Sequence, residues 1–191
     1  MVTNPPLLSW LLSHGANPNL GEQRVGYVDA TGALDAHSCA ALEAAASAGK
    51  VESVRLLLDA GAEIKNGIPL HYAAGRCPFG TNPHAGRVTP SKEFDISIIP
   101  VMALLVEHGA DVNQPEESRF MVARCAVVKA VMAGATERVK WLLEAGADPN
   151  LRGAWGSAVE YANKMGSDEI QRTIGQVVSR TRTTDGVAEK P

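Results

Sequence analysis

Residues 40–64 constrain the fold more than any other stretch, because they spell two short helices that could not stand alone. Leu42, Ala45 and Ala46 recur at helical spacing, Gly49 interrupts the run, and Val51, Val54, Leu57 and Leu58 resume it at steps of three and four. Gly61 ends the unit, where a residue free to take the left-handed conformation can close a helix. Each helix falls below the roughly 12–15 residues at which an isolated helix becomes even marginal. Their apolar faces therefore need a cover, and the chain supplies near-copies of the same unit. LLSHGANPN ends at Asn19, LLVEHGADVN at Asn113 and WLLEAGADPN at Asn150. The closing glycines, Gly15, Gly61, Gly109 and Gly146, stand 46, 48 and 37 residues apart. Repetition of this kind means units that bury each other's faces.

The copies resemble the ankyrin-repeat family, whose period is about 33 residues. The opening signature of that family is matched best by Ile68, Pro69, Leu70, His71, Tyr72, Ala73 and Ala74, and in degraded form at 40–43, 125–128 and 157–160. A glycine between the two helices, followed three residues later by Glu, stands at Gly49/Glu52, Gly134/Glu137 and Gly166/Glu169. The resemblance implies an all-α ankyrin-repeat solenoid of stacked helix-turn-helix pairs with finger loops. Its expected layout is an array over 1–178, made of a partial repeat at 4–19 and repeats at 40–65, 68–113 and 124–150. A capping repeat at 157–178 and a disordered polar tail at 179–191 complete it. The third unit carries an interhelical insertion at about 75–95, rich in Gly and Pro and without periodicity. Its second helix is expected from Ile98 to His108, with Pro100 in the first turn. Asn4 is placed to cap a helix that begins with Pro5 and Pro6. The first unit lacks a first helix. Its apolar flank is expected to be covered by further repeats of a longer array or by self-association.

Charge and motif content narrow the function. A net charge of −3 gives no basic face for nucleic acid. No apolar run nears the roughly 20 residues that span a bilayer, so no membrane partner is expected. Cys39, Cys77 and Cys125 are far apart and no secretory leader opens the chain, so an intracellular, reducing compartment, cytoplasmic or nuclear, is expected. His71, Cys77 and His84 lack the fourth ligand that a zinc site wants, and in the resembled family His71 serves the turn that opens a repeat. No nucleophile elbow, phosphate loop or metalloprotease helix is present. No catalytic residue, metal or cofactor is expected.

The resemblance instead implies a non-catalytic module that binds a protein partner through a concave face of finger loops and first helices. Tyr72, Lys129 and Tyr161 share one register in three first helices, and a Tyr, Lys, Tyr row is suited to recognition. They equally suit covering the small core. Arg119 and Phe120 in the finger after Asn113, and Arg152 and Trp155 in the last finger, are further candidates. Trp155 is either a staple or an exposed anchor. Arg76, Arg87 and Lys92 in the insertion are solvated loop charges or partner contacts, and 20–38 is a long surface loop or a binding finger. The alternative function is a C-terminal regulatory or structural repeat segment of a larger protein whose effector domain lies upstream.

Overall fold

The closing turns define the architecture. At Gly15, Gly61, Gly109 and Gly146 the backbone takes φ of +87°, +87°, +93° and +95°. In each turn the glycine N–H bonds three residues back and the following alanine N–H bonds five residues back, as in Ala62 to Leu57 at 2.9 Å and Ala147 to Leu142 at 2.9 Å. This double closure satisfies carbonyls that the end of a helix leaves orphaned. Gly49 and Gly134 close the first helices in the same way, with φ of +65° and +64°. Gly166 does not: its φ is −68°, and helix meets helix there without a left-handed residue.

A computed structural model describes residues 2–22, 34–116, 125–153 and 156–185. Its helices are α1 (Pro5–Ser13), α2 (Ala40–Ser47), α3 (Val51–Asp59), α4 (Pro69–Ala74), α5 (Lys92–Glu107), α6 (Ala126–Met132), α7 (Thr136–Glu144), α8 (Ala158–Met165) and α9 (Asp168–Asp185). A two-residue antiparallel ladder pairs β1 (Gly21–Glu22) with β2 (Leu34–Asp35) at the base of the first long finger. Among the described residues the fold is all-α apart from that ladder and an isolated bridge between Gly153 and Gly156. Among the described residues no helix is long and apolar enough to cross a membrane.

The chain divides into two compact units, Met1–Arg76 with Ser97–Asp111, and Cys77–Ile96 with Val112–Pro191. In the first, α2 packs on α3 and α4 while α1 packs on α3. Its core is Leu42, Val54, Leu57 and Leu70, joined by Val101, Met102 and Leu105 from α5. In the second, α6 packs on α7 and α8, and both of these pack on α9, around Val127, Val139, Leu142, Ile170 and Ile174. Small residues such as Ala45, Ala73, Ala126 and Ala158, all fully buried, let first helices approach closely.

Hydrogen bonds tie successive turns within each unit. Asn19 Nδ2 donates to the Gly61 carbonyl at 2.9 Å, and its Oδ1 accepts from Glu63 N–H at 2.9 Å. Asn113 repeats the bond pair on the Gly146 carbonyl (3.0 Å) and Asp148 N–H (2.8 Å). A side-chain amide offers one donor and one acceptor at the spacing of a backbone pair, so each Asn extends the next closing turn of its own unit. Replacing Asn113 with Ala is expected to cost about 1–2 kcal/mol, since each solvent-accessible bond contributes about 1 kcal/mol net. Replacement with Asp, which keeps the acceptor but sets a carboxylate oxygen against the Gly146 carbonyl, is expected to cost at least as much by urea unfolding.

Several elements depart from the sequence reading. The helix expected at Ile98 starts at Lys92, because Ser91 Oγ accepts from Phe94 N–H at 3.2 Å and provides the cap. Pro100 therefore lies inside α5, not in its first turn. Helix α9 continues to Asp185, into the segment expected as tail. Asn4 caps α1 as anticipated, accepting from Leu7 N–H at 3.2 Å.

Candidate functional site

The first helices begin at Pro69, Ala126 and Ala158, so Tyr72, Lys129 and Tyr161 each occupy the fourth helical position. Their neighbours point inward: His71 and Ala73 flank Tyr72, Val128 and Ala130 flank Lys129, and Ala162 follows Tyr161, all buried. The shared register gives all three some access to solvent, although in α8 Asn163 and Lys164 are the exposed residues. Tyr72 is 45 % exposed. Lys129 is half-buried and forms an ion pair with Glu116 of the preceding finger at 3.4 Å. Tyr161 is half-buried, and burial pushes its phenol above the ordinary value. Lys129 and Tyr161 stand on helices that pack against each other.

The fingers are fastened to the same helices. Arg152 is exposed and pairs with Glu160 at 2.9 Å. Glu160 also completes a capping box with Ser157, closing the start of α8. Arg119, Phe120 and Trp155 lie outside the described residues. Sequence reasoning missed Glu116, whose only signal was an acidic residue in a finger that precedes a first helix carrying Lys.

The insertion adds a second surface. Its tip is a turn in which Thr81 N–H and Oγ1 both donate to the Pro78 carbonyl, at 3.2 and 2.7 Å, with Gly80 at φ +79°. Phe79 at that tip is fully exposed. The return arm is anchored instead. Val88 is buried and Asp95 is 2 % exposed. Asp95 Oδ1 accepts from Arg138 Nε at 2.7 Å, and its Oδ2 accepts from the Glu137 backbone N–H at 2.6 Å. Ala135, at the cap position of α7, has no side chain to offer. Asp95 supplies that cap from another element.

Between this arm and the starts of α7 and α9 lies a cleft of about 510 Å³, with Arg87 and Lys92 on one wall and Glu137, Asp168 and Glu169 on the other. Lys92 reaches Glu137 at 3.7 Å, and Lys140 bridges Glu137 at 3.3 Å and Glu169 at 2.8 Å. The hydrogen bond between Lys140 and Glu169 raises the lysine and lowers the carboxyl relative to their ordinary values. The charges compensate one another across the cleft. Burial also pushes the Cys77 and Cys125 thiols up, away from the reactive thiolate. Among the described residues no three His, Cys, Asp or Glu side chains are grouped to hold a metal ion.

Residues 125–154 match the family model described as Ankyrin repeat. No curated protein matches the chain. The matched segment, which holds the α6–α7 pair with its closing turn at Gly146, is similar to an ankyrin repeat, and the same construction recurs where Gly61 closes α2 and α3.

Proposed function

We propose that this chain is a non-catalytic interaction module that docks a protein partner on the solvent side of its first helices and fingers. The observation that supports this reading most directly is the common fourth-position register of Tyr72, Lys129 and Tyr161, the first two set between buried neighbours and the third followed by one. Such residues can change without disturbing the core, which is what a recognition surface on a repeat scaffold requires. Tyr72 brings the largest accessible area. Lys129 contributes a charge already held in place by Glu116. Arg152, positioned by Glu160, adds a second charge, and the finger residues Arg119, Phe120 and Trp155 are proposed from the sequence alone. The repeat boundaries expected from the sequence are proposed as the frame that displays them.

Replacing Tyr72, Lys129 and Tyr161 together by Ala is expected to abolish capture of a specific protein from a native extract, with helical circular dichroism retained. Unchanged capture would move the site to the insertion. A companion variant replaces residues 77–87 by a short Gly-Ser linker. The cut stops before Val88 because Val88 and Asp95 hold the arm to α7. Loss of capture in that variant alone would refute the first-helix surface.

A further inference from the structure

The repeat provides its own control for which faces should be covered. Counted back from the closing glycines, Leu7 of α1 occupies the position of Ser53 in α3, Val101 in α5 and Arg138 in α7. Those three are completely buried, whereas Leu7 is 43 % exposed. Leu11 corresponds to Leu57, Leu105 and Leu142, at 1 % exposure or less, yet is itself only half-buried. Trp10 corresponds to Leu56, Leu104 and Trp141, of which Leu104 is buried and the others half-buried, and it is 56 % exposed. The cover is visible in two of the later copies. Helix α1 packs on α3, and Asp95 from the first turn of α5 meets Arg138 of α7. In each case the preceding helix of the same kind lies against its successor.

What fits Leu7 and Trp10 is thus another helix with an apolar, uncharged face. Among the described residues α1 is the helix that carries two large exposed apolar side chains, and its sequence, PPLLSWLLS, contains no charge. The terminal helix α9 offers no match, since Arg172, Gly175 and Gln176 face solvent there. We propose that two copies of this chain associate through α1, in a two-fold arrangement that places Leu7 and Trp10 of each copy against the α1 of the other. An isologous contact needs one self-complementary patch, and an uncharged helix meets its copy without repulsion. With two large exposed side chains from each copy at the contact, the dimer is weak and concentration-dependent. This surface is separate from the first-helix surface above and stands or falls independently.

Sedimentation velocity of the full chain, from low to high micromolar concentration, tests it. The expected result is a monomer that shifts to a dimer as concentration rises. The double substitution Leu7→Ser with Trp10→Ser is expected to weaken association at least about tenfold, a change of about 1.4 kcal/mol, and Phe79→Ser to leave it unchanged. Both replaced side chains in the double variant are exposed, so folding is retained and circular dichroism confirms it. As a second arm, Trp10→Lys and Trp10→Glu are each expected to remain monomeric alone and to associate when mixed. A chain that stays monomeric throughout overturns the proposal. So does a dimer that survives the double substitution, or one that Phe79→Ser abolishes.

Discussion

Asp95→Ala is expected to destabilise the second unit by about 3–5 kcal/mol, the range for removing one partner of a buried ion pair. The cost arises mainly from what remains. Arg138 is fully buried, and without Asp95 its guanidinium would keep a charge where water cannot reach it. The start of α7 would also lose a side-chain cap contact, the 2.6 Å bond to Glu137 N–H. Phe94, whose ring lies 6.0 Å from the guanidinium carbon, offers a weak attraction that does not replace a carboxylate. The pair as a whole need not contribute as much as its rupture costs. Asp95→Leu combined with Arg138→Met is therefore expected to recover most of the loss. Urea unfolding followed by the emission of Trp141, which lies on α7 three residues from Arg138, reads the effect locally. A single Asp95→Ala variant within about 0.5 kcal/mol of the parent would show that the carboxylate is not what holds α7.

That pair also marks the boundary of what the sequence makes legible. Local signals read well. The closing glycines at Gly15, Gly61, Gly109 and Gly146 adopt the left-handed backbone that their place after a leucine-rich turn demands, and Asn4 caps α1. The register of Tyr72, Lys129 and Tyr161 follows from helix starts at Pro69, Ala126 and Ala158. The interactions that tie one helix pair to the next within a unit were not readable, because their partners lie far apart along the chain. Asp95 and Arg138 are 43 residues apart, and Asn113 reaches Gly146 across 33. An acidic residue in the first turn of a helix looks like a favourable charge on its own dipole, and nothing local says that it caps a different helix. Ser91 was missed for a different reason. Pro100 drew the helix start toward itself, since proline is common in a first turn, whereas the side-chain cap lay one turn and more upstream. The surface candidates were legible as positions, but their pairings with Glu116 and Glu160 were not.

Gly134→Ala is expected to be the more damaging of two matched glycine substitutions, and the comparison separates backbone strain from collision. Gly146 has φ +95° with open space around a would-be Cβ, so Gly146→Ala carries only the left-handed penalty, about 1–2 kcal/mol. Gly134 has φ +64° and in addition lies directly under the Val88 carbonyl, which a Cβ would strike. Backbone cannot swing aside as a flexible side chain can, so the return arm of the insertion must lift from α7. Overpacking adds about 1–3 kcal/mol, giving a total of about 2–5 kcal/mol. The two losses have different consequences for the insertion. Gly146→Ala leaves Val88 seated, whereas Gly134→Ala releases the arm that Val88 and Asp95 anchor, exposing the bond after Arg87 to protease. Limited trypsin digestion is therefore expected to cut Gly134→Ala after Arg87 faster than either Gly146→Ala or the parent, even under conditions where all three retain the same circular dichroism. Equal cleavage of the two variants would mean that the Val88 contact does not hold the arm.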